Sequence, residues 1–178
     1  SKEETLKRSS EESKKELKRV DEELEKIIRE WEEDVKRSEK ELEEVIERAK
    51  REAEKLRTRG ELREELKREL ERVLRDVRRR VEDSKRDVKR ELDKLKKDLD
   101  AIRRELEKLN KEVEEAMKRN VDTDTLLERH KRLVEEVREK LERLLRRLRK
   151  VIKEDRERNK RLIKRLKEVI DEIRERVR

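Results

Sequence analysis

The chain has 178 residues, of which 63% are charged and 29% are hydrophobic, and its formal net charge at pH 7 is +8. Because Cys and Pro are absent and Gly occurs once, the composition excludes disulfides, Cys-ligated metals, glycine-rich phosphate loops and multi-stranded sheets. No apolar run approaches the ~20 residues that cross a bilayer, and the amino-terminal residues lack the apolar segment of a signal peptide.

The first predicted helix spans residues 2–57. Its apolar and small residues recur at steps of three and four, from Leu6 and Ser10 through Trp31 to Ala53, which is the spacing of one helical face. Good helix formers fill almost all the other positions. A disordered chain of this composition would lack such a face, so the pattern predicts an amphipathic helix rather than disorder.

The second predicted helix spans residues 61–119, and the third spans residues 123–177. Gly60 is the only glycine, and it stands where the first helix needs a left-handed residue in order to end. Asn120 can end the second helix in the same way, and Asp122 or Thr123 can cap the third. Connections this short make consecutive helices antiparallel.

The three predicted helices share a spacing of 18 residues between equivalent core positions. This spacing corresponds to 3.6 residues per turn, so the helices need no supercoil to stay in contact. We predict an all-α fold in which residues 1–178 form one domain. It is a long, nearly straight, antiparallel up-down-up three-helix bundle, similar to a coiled-coil rod. The spacing is visible at Leu6, Leu24 and Leu42, at Leu70, Val88 and Leu106, and at Leu127, Leu145 and Ile163.

Several positions of this register hold polar residues instead of apolar ones. Folding back the helices places residue i of the first near 120 − i of the second and 120 + i of the third. A buried polar group without a partner costs about 1–3 kcal/mol, so we expect these residues to form hydrogen-bonded layers that fix register and topology. The predicted layers are Ser10, Ser13, Asn110 and His130, and Ser38, Ser84, Asp155 and Asn159.

Other roles for the two titratable residues in these layers fit the sequence less well. His130 and Asp155 are 25 residues apart on one predicted helix, or ~37 Å, which excludes an acid–base pair. His130 would need further His or carboxylate side chains at its height to hold a metal. Asp155 is either ionised among Ser and Asn donors or placed beside an arginine such as Arg158.

The serine and tryptophan side chains in the register could also indicate a function. Ser38 and Ser84 would need a base to act as nucleophiles, and the only histidine lies too far from both along the predicted bundle. Trp31 stands in register with Ser13 and Ala49, so we predict that it fills the core. An aromatic ligand platform would require other aromatic rings, which the chain lacks apart from the histidine.

The whole chain resembles the de novo designed, parametrically generated helical bundles of the untwisted antiparallel three-helix type. The resemblance rests on the common register, matched helix lengths, minimal connections and a surface saturated with Arg, Glu and Lys. It implies a structural scaffold with no natural function or location, no catalysis, no cofactor and no metal. It also implies a hyperstable monomer, soluble in the cytoplasm of an expression host, that requires no partner, membrane or specific nucleic acid. A spectrin-like repeat is a poorer match because its helices are much shorter.

A helical assembly or binding module is the alternative. Residues 1–58, 59–119 and 120–178 carry net charges of −3, +4 and +7, so the later helices could bind acidic polymers weakly and nonspecifically. Extra apolar residues flank the main face and could seed weak self-association. They are Ile27, Val45, Val73, Leu126, Leu133, Leu144, Val151, Leu162 and Val169.

Overall fold

The computed structural model describes residues 1–55, 61–119 and 124–176. Almost all of these residues are helical, and the predicted all-α, three-helix class is confirmed. The helices are α1, Lys2–Lys55, α2, Glu61–Lys118, and α3, Asp124–Arg176. Their bounds agree with the predicted ones to within three residues.

The start of α1 shows how side chains satisfy a helix end. Ser1 precedes the helix, its Oγ accepts a hydrogen bond from the Glu4 backbone N–H at 3.3 Å, and its carbonyl accepts one from the Thr5 N–H at 3.1 Å. A serine at this position satisfies one of the free donors of the first turn. Gly60, Asn120 and Asp122, predicted to end or cap helices, lie outside the described residues.

The chain divides into two compact units, each of which takes segments from all three helices. Unit 1 comprises Ser1–Arg29 and Glu91–Lys150, and unit 2 comprises Glu30–Arg90 and Val151–Arg178. That the whole chain forms one domain stays a prediction.

Contacts within unit 1 establish the directions of its helices. Later residues of α1 contact earlier residues of α2, so these two segments are antiparallel. Later residues of α1 contact later residues of α3, so α1 and α3 run parallel. The contacts are Ser10–Asn110 and Asp21–Arg103 between α1 and α2, and Ser9–His130 and Glu23–Arg149 between α1 and α3.

Unit 2 has the same arrangement of directions. Its α1 and α2 segments are antiparallel, and its α1 and α3 segments are parallel. The contacts are Glu39–Lys85 and Glu43–Arg78 between α1 and α2, and Asp34–Arg156, Glu41–Lys167 and Glu52–Arg174 between α1 and α3.

The core of each unit consists of the residues that recur at three and four positions along the helices. In unit 2 these residues form one continuous apolar cluster that includes Ile46, Ala49 and Leu166, each with no exposed surface. In unit 1, Leu6 and Leu148 are likewise fully buried. Burying a Leu or Ile side chain contributes roughly 1.5–3 kcal/mol, so this single face supplies most of the stabilisation that opposes the entropy of the chain.

The flanking apolar residues differ in how far the neighbouring helices cover them. Ile27, Val45 and Leu162 are buried and extend the core. The other six remain half-buried, and five of them lie on α3. They are Val73, Leu126, Leu133, Leu144, Val151 and Val169.

The charged residues outside these faces pair across and along the helices. Lys85 Nζ lies 3.0 Å from Glu39 Oε1 across unit 2, and Arg129 Nη1 lies 3.1 Å from Glu112 Oε2 across unit 1. Exposed pairs contribute only about 0–1 kcal/mol each, so they keep the surface hydrated more than they stabilise the fold. Among the described helices, none carries a stretch apolar and long enough to span a membrane.

Candidate functional site

A cluster of polar side chains from all three helices lies in the core of unit 1; we call it polar cluster 1 (Ser9, Ser10, Asn110 and His130). Ser10 Oγ donates a hydrogen bond to Asn110 Oδ1 at 2.8 Å. The same oxygen lies 3.4 Å from His130 Nε2. Ser10, Asn110 and His130 are all buried, and His130 has no exposed surface. One amide oxygen therefore joins α1, α2 and α3.

The two ring nitrogens of His130 have different partners. Because the Asn110 oxygen can only accept, Nε2 must carry the proton that it donates. In the neutral ring, Nδ1 is then unprotonated and accepts a hydrogen bond from Ser9 Oγ at 2.8 Å. A neutral imidazole thus satisfies both of its nitrogens. Burial lowers the pKa of His130 below its ordinary value, so the neutral form is favoured further.

Ser9 is a member of this cluster that the sequence interpretation missed, and Ser13 is not a member. Ser13 is buried, but its hydroxyl donates to the backbone carbonyl of Ser10 at 2.7 Å. A serine within a helix often satisfies itself in this local way, so it needs no partner on another helix. The rule that pairs residue i with residue 120 + i places Ser9 near position 129, beside His130, and this signal could have identified Ser9.

Polar cluster 2 (Trp31, Ser84, Asp155 and Arg158) lies in unit 2 and is centred on the Asp155 carboxylate, which is 3% exposed. Ser84 Oγ donates to Asp155 Oδ1, and Trp31 Nε1 donates to Asp155 Oδ2 at 3.2 Å. Arg158 Nη1 in turn donates to Ser84 Oγ at 3.0 Å. Each carboxylate oxygen thus accepts one neutral donor, while the arginine reaches the carboxylate through the serine hydroxyl.

Trp31 is buried as predicted, with 4% of its surface exposed, but it does more than fill the core. Its indole N–H is the donor that the sequence interpretation missed. A buried indole N–H needs an acceptor. Residues 31 and 155 are separated by 124 positions, within the range of 121 to 126 that relates other α1–α3 contact pairs. This separation could have identified the bond.

Ser38 and Asn159 are not brought into the predicted second layer. Ser38 is half-buried and takes no part in the hydrogen bonds of cluster 2. Asn159 is only 4% exposed, and its Oδ1 has no hydrogen-bond partner. The predicted four-residue network is wrong for these two side chains, because Trp31 provides the second donor to Asp155. Asn159 then remains in the core at a cost of about 1–3 kcal/mol.

Metal-ligand geometry and similarity to known proteins are two further sources of evidence on function. Among the described residues, no group of three or more His, Cys, Asp or Glu side chains is placed to hold a metal ion. The chain matches no protein-family model, no curated protein and no solved structure.

The pH dependence of stability should report the neutral state of His130. Because its folded pKa lies below the ordinary value of about 6.5, the unfolded chain binds more protons in mild acid. We expect the free energy of unfolding to stay constant above about pH 6.5 and to decrease as the pH falls towards the folded pKa. Urea unfolding at about pH 7.5 and pH 5 measures this change, since His130 is the only histidine.

The matched control for this measurement is the His130→Leu variant. Leu148 and Leu166 occupy the equivalent positions of α3 and are fully buried, so a leucine fits there. We expect the variant to lose the fall in stability between these two pH values. A fall of equal size in the variant would contradict a buried neutral histidine.

Two asparagine substitutions should shift stability in opposite directions. Asn159→Leu removes an unpaired buried oxygen, so we expect the free energy of unfolding to rise by about 1–3 kcal/mol. Asn110→Leu removes the acceptor shared by Ser10 and His130, so we expect a decrease of similar size. Leucine stands 18 residues before each site, at Leu141 and Leu92.

The measurement is urea unfolding of each variant, followed by the helical circular dichroism signal. Because both substitutions add the same apolar side chain to a core, the difference between them isolates the hydrogen bonds. Equal changes in both variants would mean that polar cluster 1 contributes nothing beyond its packing.

Proposed function

We propose that this chain is a designed structural scaffold without a natural biochemical activity, and that its polar clusters fix the register and topology of its helices. The observation that carries the proposal is the membership of the clusters. Cluster 1 joins Ser10 of α1, Asn110 of α2 and His130 of α3, and cluster 2 joins Trp31, Ser84 and Asp155 from the same three helices. If these polar side chains had come together by chance, we would not expect both clusters to contain a side chain from each of the three helices.

A hydrogen bond discriminates between registers more sharply than apolar packing does. Sliding a helix by one turn displaces it by about 5.4 Å, which is longer than the bonds themselves. The displaced donors and acceptors would then face Leu, Ile and Val, and each unpaired group costs about 1–3 kcal/mol. An apolar layer meets a similar layer after the same slide, because the core residues recur at each turn. The polar clusters therefore supply the specificity that the apolar face lacks.

The designed origin is supported by the agreement of independent features. One 18-residue spacing persists through all three helices, and the chain contains no Pro, no Cys and a single Gly. The α1 sequence is acidic where α2 and α3 are basic, so the three helices complement one another. Such consistency between local propensity, apolar pattern and charge is the usual aim of idealised design. On the same grounds we propose a monomer of very high thermal stability.

Replacing both polar clusters with the residues that the register dictates tests this role, because either cluster could hold the same three helices in register. The variant carries residues copied from positions 18 residues away: Ser10→Ile, Asn110→Leu, His130→Leu, Ser84→Leu and Asp155→Val. We expect this variant to stay helical but to populate more than one register. Spin labels on cysteines at two exposed positions of unit 1, one on α1 and one on α2, measure the distance between the helices. The label sites are Lys15→Cys and Lys94→Cys, since the chain has no other cysteine.

With both polar clusters intact, we expect one narrow distance distribution between the labels. In the apolar variant, we expect a second population displaced by several ångströms, because a one-turn slide moves one label along the axis by about 5 Å. The matched control is Leu145→Ile, which changes a core layer without changing its polarity. A single unchanged distance in the apolar variant would contradict the proposed role.

Self-association is the second candidate, and one feature of unit 1 favours it. An open groove of about 560 Å³ between α2 and α3 is bordered by the half-buried side chain of Leu133. The rest of the lining is mostly charged, and a second copy could cover the Leu133 side chain. Sedimentation equilibrium at low and moderate salt separates the candidates. We expect a 22.2 kDa monomer at both salt concentrations, and a larger species would instead support the assembly module.

A further inference from the structure

One contact in polar cluster 1 differs from the others because one of its two residues, Ser9, is only half-buried. Ser9 is half-buried, and it borders an open groove of about 310 Å³ between α1 and α3 in unit 1. Its hydroxyl oxygen lies 2.8 Å from Nδ1 of the fully buried His130. A half-buried serine at the edge of a groove is thus paired with a histidine that has no exposed surface.

The rest of the cluster orients that imidazole. Asn110 Oδ1 accepts from Nε2, which leaves the lone pair of Nδ1 directed at the Ser9 hydroxyl. A nucleophile bonded to a base, which is itself held by a third group, is the arrangement that activates serine in acyl transfer. The Nε2 contact is 3.4 Å long, and such bonds are often long before a substrate binds. Burial lowers the pKa of His130, which keeps the base in its neutral, proton-accepting form.

We propose that Ser9 is a nucleophile for small activated esters, with His130 as its general base and Asn110 as the residue that positions the base. Ser9 Oγ forms a bond to the ester carbonyl carbon, and its proton passes to His130 Nδ1. The bond to the aryloxide leaving group breaks, and the aryloxide takes the proton from the imidazole. Water then gives a proton to the same base and attacks the carbonyl carbon of the acylated Ser9. The Ser9 oxygen takes the proton back as it leaves, which releases the carboxylic acid and restores the hydroxyl.

The groove also defines which substrates react. Backbone N–H groups inside a helix are bonded to carbonyls of the preceding turn, so Ser9 has no backbone donors to stabilise an oxyanion. Positive charge at the groove comes from the exposed side chains of Arg8, Lys131 and Arg138, and Glu12 and Glu135 oppose it. This environment stabilises a developing oxyanion only modestly. The chemistry is therefore restricted to esters with good leaving groups and to equally reactive phosphonyl fluorides.

An alkyl fluorophosphonate tests the proposal on the whole chain. Ser9 Oγ forms a bond to phosphorus, fluoride leaves, and His130 accepts the proton, so a stable adduct accumulates. Intact mass and peptide mapping locate the adduct. We expect labelling of Ser9 to be at least about 100-fold faster than labelling of Ser38, since general-base catalysis contributes 10²–10⁴-fold. Ser38 is the internal reference because it is also half-buried but takes no part in a bond to the histidine.

Three variants separate activation from exposure. Ser9→Ala should abolish the adduct, whereas Ser13→Ala should retain it, because Ser13 bonds only to the Ser10 carbonyl. His130→Gln keeps a polar side chain at this position and leaves the Ser9 hydroxyl in place, and we expect it to slow labelling by about 100-fold. Labelling with the unsubstituted chain should also become faster as the pH rises through the titration of the imidazole.

The same variants supply the result that would overturn the proposal. No Ser9 adduct after prolonged exposure, or equal labelling of Ser9 and Ser38, would show that the hydroxyl is not activated. An unchanged rate in a folded His130→Gln variant would exclude the histidine as the base. Release of p-nitrophenolate from p-nitrophenyl acetate, measured as the difference from Ser9→Ala, gives the corresponding rate for an ester. Failure of these readouts is distinguishable from failure of the proposed scaffold role, because they measure the reactivity of Ser9, whereas the scaffold role is measured by helix register.

Discussion

Each helix of this protein can bury only one face, and that restriction governs almost everything else in the structure. With 3.6 residues per turn, about one residue in three or four points at the neighbouring helices, and the rest meet water. The chain follows this closely: it is 29% hydrophobic and 63% charged, and its buried residues recur at steps of three and four. A hydrophobic fraction that would suggest too few core residues for a stable fold is thus the fraction that three long amphipathic helices require. The exposed ion pairs contribute little to stability, so the face itself must hold each unit together.

A uniform apolar face brings helices together but specifies their relative position weakly. Polar cluster 1 and polar cluster 2 interrupt that face in both units, and each one links all three helices through a single acceptor group. The Asn110 amide oxygen serves one cluster, and the Asp155 carboxylate serves the other. Asn159 illustrates the opposite case, since its unpaired oxygen has the cost of burial without the benefit of a bond. In the role proposed for the clusters, specificity costs least stability where every buried polar atom has a partner.

The same requirement leads to the proposed reactivity of Ser9. A buried neutral histidine needs one donor partner and one acceptor partner, and the nearest hydroxyl at the edge of the core satisfies Nδ1. Once that hydroxyl borders an open groove, a structural hydrogen bond also has the arrangement of a nucleophile and its base. Structural and chemical roles can coincide in this way because both depend on a satisfied imidazole held in one tautomer.

The amino-acid sequence by itself determined the helices, their bounds and their buried faces, because helix propensity and the period of the apolar residues are local properties. It also indicated the buried polar positions of the described helices, because polar residues there occupy an otherwise apolar register: Ser10, Ser13, Ser84, Asn110, His130, Asp155 and Asn159. Only the tertiary structure decided which atoms bond to which. Trp31 rather than Asn159 pairs with Asp155, Ser13 bonds within its own helix, and Ser9 reaches the histidine. These choices depend on side-chain rotamers and on separations of about 3 Å, whereas a register places residues only to within about a helical turn.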